Sequence, residues 1–193
     1  MSSFEIVTIC EIAKKIERKE VVNAEKEYPF LGISLEGRGA FIRETKSGYD
    51  LSYEKVRKVL AGDFIYSRLF AWKGAFDIVS EELDGCYVSG EFPFFSLDES
   101  KVIPEYLLYY FRQPSVWVVV ESFCHSTTKA SRNRFKAKDF LGLEVPLPCL
   151  SEQLRVVSFL KNVYELKRLQ AETQTELEAL VPAILDKAFK GEL

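Results

Sequence analysis

The chain has 193 residues, 47% of them hydrophobic and 13% aromatic, with 26 Lys+Arg against 29 Asp+Glu and a formal net charge of −3. That length fits one ordinary domain plus an appendage, and the apolar content excludes wholesale disorder. The charge balance excludes a chain-wide basic field, so any site for a polyanion must be local.

Up to residue 148 the sequence is punctuated by turn signals, at Gly37-Arg38-Gly39, Lys46-Ser47-Gly48, Ala61-Gly62-Asp63, Lys73-Gly74 and Asp84-Gly85. Between them lie short apolar runs, including Phe64 to Tyr66, Phe76 to Val79 and Cys86 to Val88, which predict short strands with tight connections. Pro104 opens a Leu/Tyr-rich stretch to Arg112 and is suited to the first helical position; Pro114 restarts a segment in which Val116 to Val120 reads equally as helix or strand. Pro146-Leu147-Pro148 is expected to forbid a regular element and to end an α+β domain, residues 1–148, with a curved, many-turned sheet and a few helices.

Residues 149–193 predict one long helix, with Ser151 as candidate N-cap and Pro182 as a kink or restart. Val156, Phe159, Val163, Leu166, Gln170, Thr173, Leu177, Leu180 and Ile184 follow 3-4 spacing, a coiled-coil seam with two polar residues at its middle. A helix of about 31 residues would run roughly 46 Å at 1.5 Å per residue, which favours a partner helix over packing on the chain's own domain.

No apolar run approaches the roughly 18 residues of a membrane-spanning helix, and Lys14 and Lys15 come too early for a signal-peptide core. The expectation is a cytoplasmic protein with no membrane partner. Cys10, Cys86, Cys124 and Cys149 form no CxxC pair and His125 is the single histidine, so zinc is not expected and the cysteines read as small buried hydrophobes. Four Glu-x-Lys tripeptides occur (from Glu17, Glu44, Glu99 and Glu165), about what chance gives for so many acids and lysines. There is no Walker loop, no GxGxxG, no GxSxG, no HExxH and no Pro-Pro dipeptide of the kind that grips a flipped base. Catalytic and metal-binding residues are therefore not assigned.

The strongest local feature is the run Lys129, Arg132, Arg134, Lys136 and Lys138, five positive charges in ten residues without an acid, preceded by Ser126, Thr127 and Thr128. Such a loop would neutralise phosphates with its Arg and Lys, while Asn133 and the hydroxyls reach base edges. His125 reads equally as a phosphate contact or as a residue without special role. Weaker basic spots are Arg38 with Arg43 and Lys46; Arg57 with Lys58; and Arg68 with Trp72 and Lys73, the last either a groove-inserting loop or, for Trp72, simple core.

Taken together, Tyr28 to Ser34, Gly62 to Arg68, Ile103 to Leu107, Pro146 to Pro148 with Ser151-Glu152-Gln153, and Ala188 to Leu193 resemble the DNA specificity subunit of type I restriction-modification systems. The resemblance implies a target recognition domain that reads one half of a bipartite site in double-stranded DNA. It also implies a long helix serving as spacer and as docking surface for the DNA methyltransferase (modification) subunit. S-adenosylmethionine and the catalytic groups would belong to that partner, and ATP-driven cleavage to a restriction subunit. The family's usual chain has two recognition domains and two long helices. With one of each, this chain is expected to form a homodimer about a two-fold axis, its seams antiparallel, or else to pair with a full-length chain. A non-DNA protein-interaction module and a small Mg-dependent nuclease are the alternative readings.

Overall fold

The alternation of apolar runs and turn residues produces eleven strands, none longer than eight residues, in the computed structural model, which describes residues 4–124 and 134–191. In chain order they are β1 (Glu5–Thr8), β2 (Ala13–Ile16), β3 (Lys19–Val21), β4 (Glu27–Ile33), β5 (Ala40–Ser47), β6 (Lys55–Lys58), β7 (Phe64–Tyr66), β8 (Phe76–Ile78), β9 (Tyr87–Val88), β10 (Phe94–Leu97) and β11 (Glu144–Leu147). They assemble into three sheets, of order β1-β11, β2-β10-β7-β8 and β3-β6-β9-β4-β5. With the helices the class is α+β. Two compact units result, Met1–Gln153 and Leu154–Leu193.

Pro104 and Pro114 stand in the first turn of α1 (Pro104–Phe111) and α2 (Pro114–Ser122), where a missing N–H breaks no bond and the fixed φ suits the helix. The ambiguous Val116 to Val120 is thus helical. Its 3.6-residue period buries Val116 and Val120 and leaves Val118 and Val119 outside. A third short helix, α3 (Ala137–Leu141), follows the basic run.

The main core is aromatic. Phe64, Tyr66, Phe76, Phe95, Phe111, Phe135 and Phe140 are all fully buried, with ring centroids 4.6 Å apart for Phe76–Phe111 and for Phe95–Phe140. A second cluster, around Leu31, Val59, Ile65, Val88 and Phe94, belongs to the five-stranded sheet and its neighbours. Asp63, 3% exposed, anchors the turn from Leu60 that Gly62 makes possible: its carboxylate accepts a two-pronged grip from Arg18 and the Leu60 N–H at 2.9 Å. A buried carboxylate is tolerated only when paired and hydrogen-bonded in this way.

The Pro-Leu-Pro segment departs from expectation. Glu144 to Leu147 does form a strand, β11, antiparallel to β1 with Pro146 opposite Ile6. In a two-stranded ribbon both strands are edges, where a proline without an N–H removes no ladder bond. The chain leaves the sheet at Pro148, and the junction is locked by Gln153, fully buried, whose Oε1 accepts the Ile103 N–H at 2.8 Å. Its Nε2 donates to the carbonyls of Lys101 (2.9 Å) and Pro148 (2.8 Å).

The long helix, α4, runs Leu150–Lys190. It begins one residue before the expected cap. Cys149 holds that position, its carbonyl accepting the Glu152 and Gln153 N–H groups, and Ser151 lies in the first turn. Nor does the helix restart at Pro182, which lies within it; the proline withholds one N–H and the helix continues beyond it. Along the seam Phe159, Leu166, Leu177, Leu180 and Ile184 are all at least 45% exposed, and Val156 and Val163 are half-exposed. Elsewhere the surface is laced by short-range pairs, Arg168 with Glu165 and Glu172 (both 2.6 Å) and Lys190 with Asp186 (2.7 Å), the i,i+3 and i,i+4 spacing that suits a solvated helix. All four cysteines are free. Cys86 is buried and Cys124 partly so, but Cys10 and Cys149 are exposed, so the buried-hydrophobe reading holds for half of them.

Candidate nucleic-acid interface

Backbone hydrogen bonds tie four loops into one ridge. The β4–β5 hairpin tip, residues 34–39, lies on the β7–β8 connection, residues 67–75: Glu36 N–H donates to Lys73 O at 2.8 Å and Gly37 N–H to Gly74 O at 3.0 Å. Both glycines are required by this contact. Gly74 has φ +75° and a Cβ there would strike the Trp117 indole at 2.3 Å; Gly37 has φ +67° and its Cβ would meet Arg112 at 2.8 Å. The Ala40 N–H donates to the Asp77 carboxylate at 2.6 Å, fixing the start of β5 on β8. Burial pushes the Asp77 carboxyl above its ordinary range, against the pull of the Ala40 and Ile78 N–H groups and the Arg112 charge.

At its other end the 67–75 connection meets the β9–β10 turn, where Arg68 N–H donates to Glu91 O at 2.8 Å. The segment emerging from the basic run lands at the same place. Phe135 N–H donates to Arg68 O at 2.9 Å, its ring is fully buried 5.4 Å from Tyr66, and Arg134 forms a fork on the Glu91 carboxylate at 3.0 and 3.1 Å. Phe135 is therefore the plug and Arg134 the clamp that return the basic segment to the ridge. Bidentate guanidinium–carboxylate pairs are the geometrically specific kind of ion pair.

The structure thus joins some of the sequence-predicted residues and separates others. Arg38, at the hairpin tip, is exposed and only loosely paired with Glu36 at 3.8 Å. Lys73 is exposed beside it, its Nζ 4.6 Å from the centroid of Trp72. Trp72 itself packs partly on the main core and donates Nε1–H to Leu69 O at 3.0 Å, so it supports the loop from beneath. Arg68 is half-exposed; Lys136 and Lys138 are exposed around α3. Arg43 and Lys46 stand apart on β5, flanking Glu44, which both engage. At about 3.3 Å per residue Lys46 is roughly 20 Å along the strand from the tip. Ser126, Thr127, Thr128, Lys129, Arg132 and Asn133, with His125, lie outside the described residues. Sequence reasoning misses Glu91, since nothing in Gly90-Glu91-Phe92-Pro93 marks it as the partner of a residue 43 positions later. Among the described residues no three His, Cys, Asp or Glu side chains gather to hold a metal ion, and no helix is long and apolar enough to cross a membrane.

The chain thus combines an α+β domain, a loop ridge carrying Arg38, Lys73, Arg68 and the return of a basic run, and a long helix. The family model for the type I restriction modification DNA specificity domain matches residues 1–179, and the chain belongs to that family. Among solved structures it is similar to the HsdS subunit from Thermoanaerobacter tengcongensis, with TM-score 0.67 and 22% identity over 92% of this chain and 47% of that one. A type I restriction-modification structure described for complex assembly and conformational transition gives TM-score 0.61 and 25% identity over 99% of this chain and 47% of that one. The type I S subunit from M. genitalium gives 0.55 and 15% over 85% and 40%. The chain thus spans about half the length of these relatives. No curated protein matches it significantly.

Proposed function

We propose that this chain is a non-catalytic, DNA-reading specificity subunit of a type I restriction-modification complex. Its first unit reads one half of a bipartite site in double-stranded DNA, and α4 serves as spacer and docking surface for the DNA methyltransferase subunit. The observation that carries this reading is the ridge, which concentrates cations on four mutually bonded loops of a chain whose net charge is −3. Phosphate contacts from Arg38, Lys73, Lys136, Lys138 and the run from Lys129 position the duplex; Ser126 to Thr128 and Asn133 read base edges. S-adenosylmethionine and the transfer chemistry reside on the methyltransferase subunit, and a restriction subunit joins the assembled complex. All of these proteins act in the cytoplasm.

Two copies associate through the seam of Val156, Phe159, Val163, Leu166, Leu177, Leu180 and Ile184, because so long an apolar stripe left in water is a surface that proteins normally cover. The purified chain is expected to bind duplex DNA without nicking it when Mg²⁺ is supplied, and to sediment as a dimer at micromolar concentrations. Cleavage by the chain alone would overturn the non-catalytic assignment, and a monomer in the absence of methyltransferase would overturn the self-association.

A further inference from the structure

A cavity of about 290 Å³ opens beside the ridge, between β3, β6 and the β9–β10 turn. Lys19, Lys55 and Arg57 line it. In the antiparallel β3–β6 pair Lys19 stands directly opposite Arg57, and Lys55 is two residues from Arg57 on the same strand, so the pleat puts all three cations on one face. Like charges directly opposite destabilise a sheet, and this arrangement is therefore a cost in the free chain that an anion would relieve.

Resident partners relieve it only in part. Lys19 is paired with Glu17 at 3.0 Å, but Lys55 makes no ion pair among the described residues. The Arg57 guanidinium donates to two carbonyls, Ser89 and Phe92, and lies 6.0 Å from the Phe94 ring. Burial lowers its proton affinity, as expected of a cation short of counter-charge; Glu17 and Glu91 act on it only through their fields, opposed by Arg68. Tyr53 and the buried Val56 and Val88 also line the cavity, and these apolar surroundings strengthen any charge interaction made there.

The cavity shares the β9–β10 turn with the ridge. Ser89 and Gly90 border the cavity, and the next residue in the same turn, Glu91, holds Arg134 and accepts from Arg68. Nothing lies within 4 Å of where a Cβ on Gly90 would point. We propose that the cavity is a seat for one backbone phosphate of the duplex, taken by Lys55 together with Lys19 and Arg57. The assignment rests on the DNA-reading function above and extends its footprint from the loop ridge onto the face of the five-stranded sheet.

The test is a salt series of duplex binding by the full chain, alone and with its methyltransferase subunit, on DNA of mixed sequence. Lys55→Ala should make the log–log salt slope shallower by about 0.9, the value of one phosphate contact, and Lys55→Arg should restore it. Gly90→Gln, which places an uncharged side chain at the cavity's edge on a Cβ that meets nothing within 4 Å, should reproduce the shallower slope. Lys101→Ala removes a cation held by Asp98 and the Glu11 carbonyl and should leave the slope unchanged. Wild-type slopes for both Lys55→Ala and Gly90→Gln, in a chain that binds DNA, would overturn the phosphate seat and leave the DNA-reading function standing. A wild-type chain that fails to bind duplex in either setting would overturn both.

Discussion

Replacing Lys129, Arg132, Arg134, Lys136 and Lys138 together by Ala is expected to weaken duplex binding on every sequence and to flatten its salt dependence by about 0.9 in slope for each phosphate no longer neutralised. The five do not act alike. Lys136 and Lys138 are exposed around α3 and are expected to act as point charges on the DNA backbone, each removable at little cost to the fold. Arg134 is already committed to Glu91, so Arg134→Ala acts by releasing the clamp that holds the segment's return against Arg68. Glu91→Gln should therefore weaken binding although it removes a negative charge, the opposite of what simple electrostatics gives. By contrast, substitution of Asn133 or of Ser126 to Thr128 should change which sequence is preferred more than the salt slope, because amides and hydroxyls pair with base edges. Fluorescence anisotropy over a salt series reads all of these; an unchanged slope in the five-fold variant would show that the segment does not touch the backbone.

Gln153→Ala should be the most damaging single change to the fold. The side chain is fully buried and satisfies three backbone groups, the Ile103 N–H and the Lys101 and Pro148 carbonyls. Truncation leaves all three without a partner. At roughly 1–3 kcal/mol for an orphaned buried group, the net destabilisation is about 3 kcal/mol, a fall in Tm of roughly 6–12 °C for a chain of this size. Gln153→Glu should be no rescue, since a carboxylate still accepts from Ile103 but has nothing to donate to the two carbonyls. A destabilisation below about 1 kcal/mol by urea denaturation would show that water replaces the amide at the junction.

The segments that Gln153 ties together show where sequence reading succeeds and where it stops. Pro104 at a helix start and the strands at Phe64, Phe76 and Tyr87 follow from local rules, because a proline ring or an apolar run between turns restricts the backbone wherever it stands. Pro146 defeats the same kind of rule. Its strand exists because β1, some 140 residues earlier, offers an edge that needs no N–H from it, and such pairing has no local trace. Gln153 is visible in the sequence as part of a family pattern, but its reason appears only once α1 and the β11 exit are brought to it.

The candidate site divides along the same line. The basic spots are legible one by one as reversals against an acidic background; their meeting is not. Arg68, Arg134 and Arg57 converge because one turn, Ser89 to Phe92, offers carbonyls and a carboxylate to all three. Arg43 and Lys46 look equivalent to Arg38 in sequence, yet β5 carries them away from the hairpin tip at the extended rise of a strand. Of the cavity's cations only Arg57 is marked in the sequence as part of a basic spot; Lys19 and Lys55 are far apart in sequence and share a face only through the β3–β6 register.

If two identical chains present identical reading ridges about a two-fold axis, the same residues meet the same bases on opposite strands, and each half-site is the inverted copy of the other. On this proposal a helix of 41 residues, about 60 Å at 1.5 Å per residue, would serve as the spacer that sets the gap between them. The measurement that tests this account most directly is a map of methylated positions in DNA from cells that express this chain and its cognate methyltransferase alone. The account predicts one interrupted palindrome with a constant gap, methylated on both strands. Two unrelated half-sites would show that another chain supplies a second, different reading domain, and the absence of methylation that depends on this chain would contradict its assignment as the subunit that reads DNA.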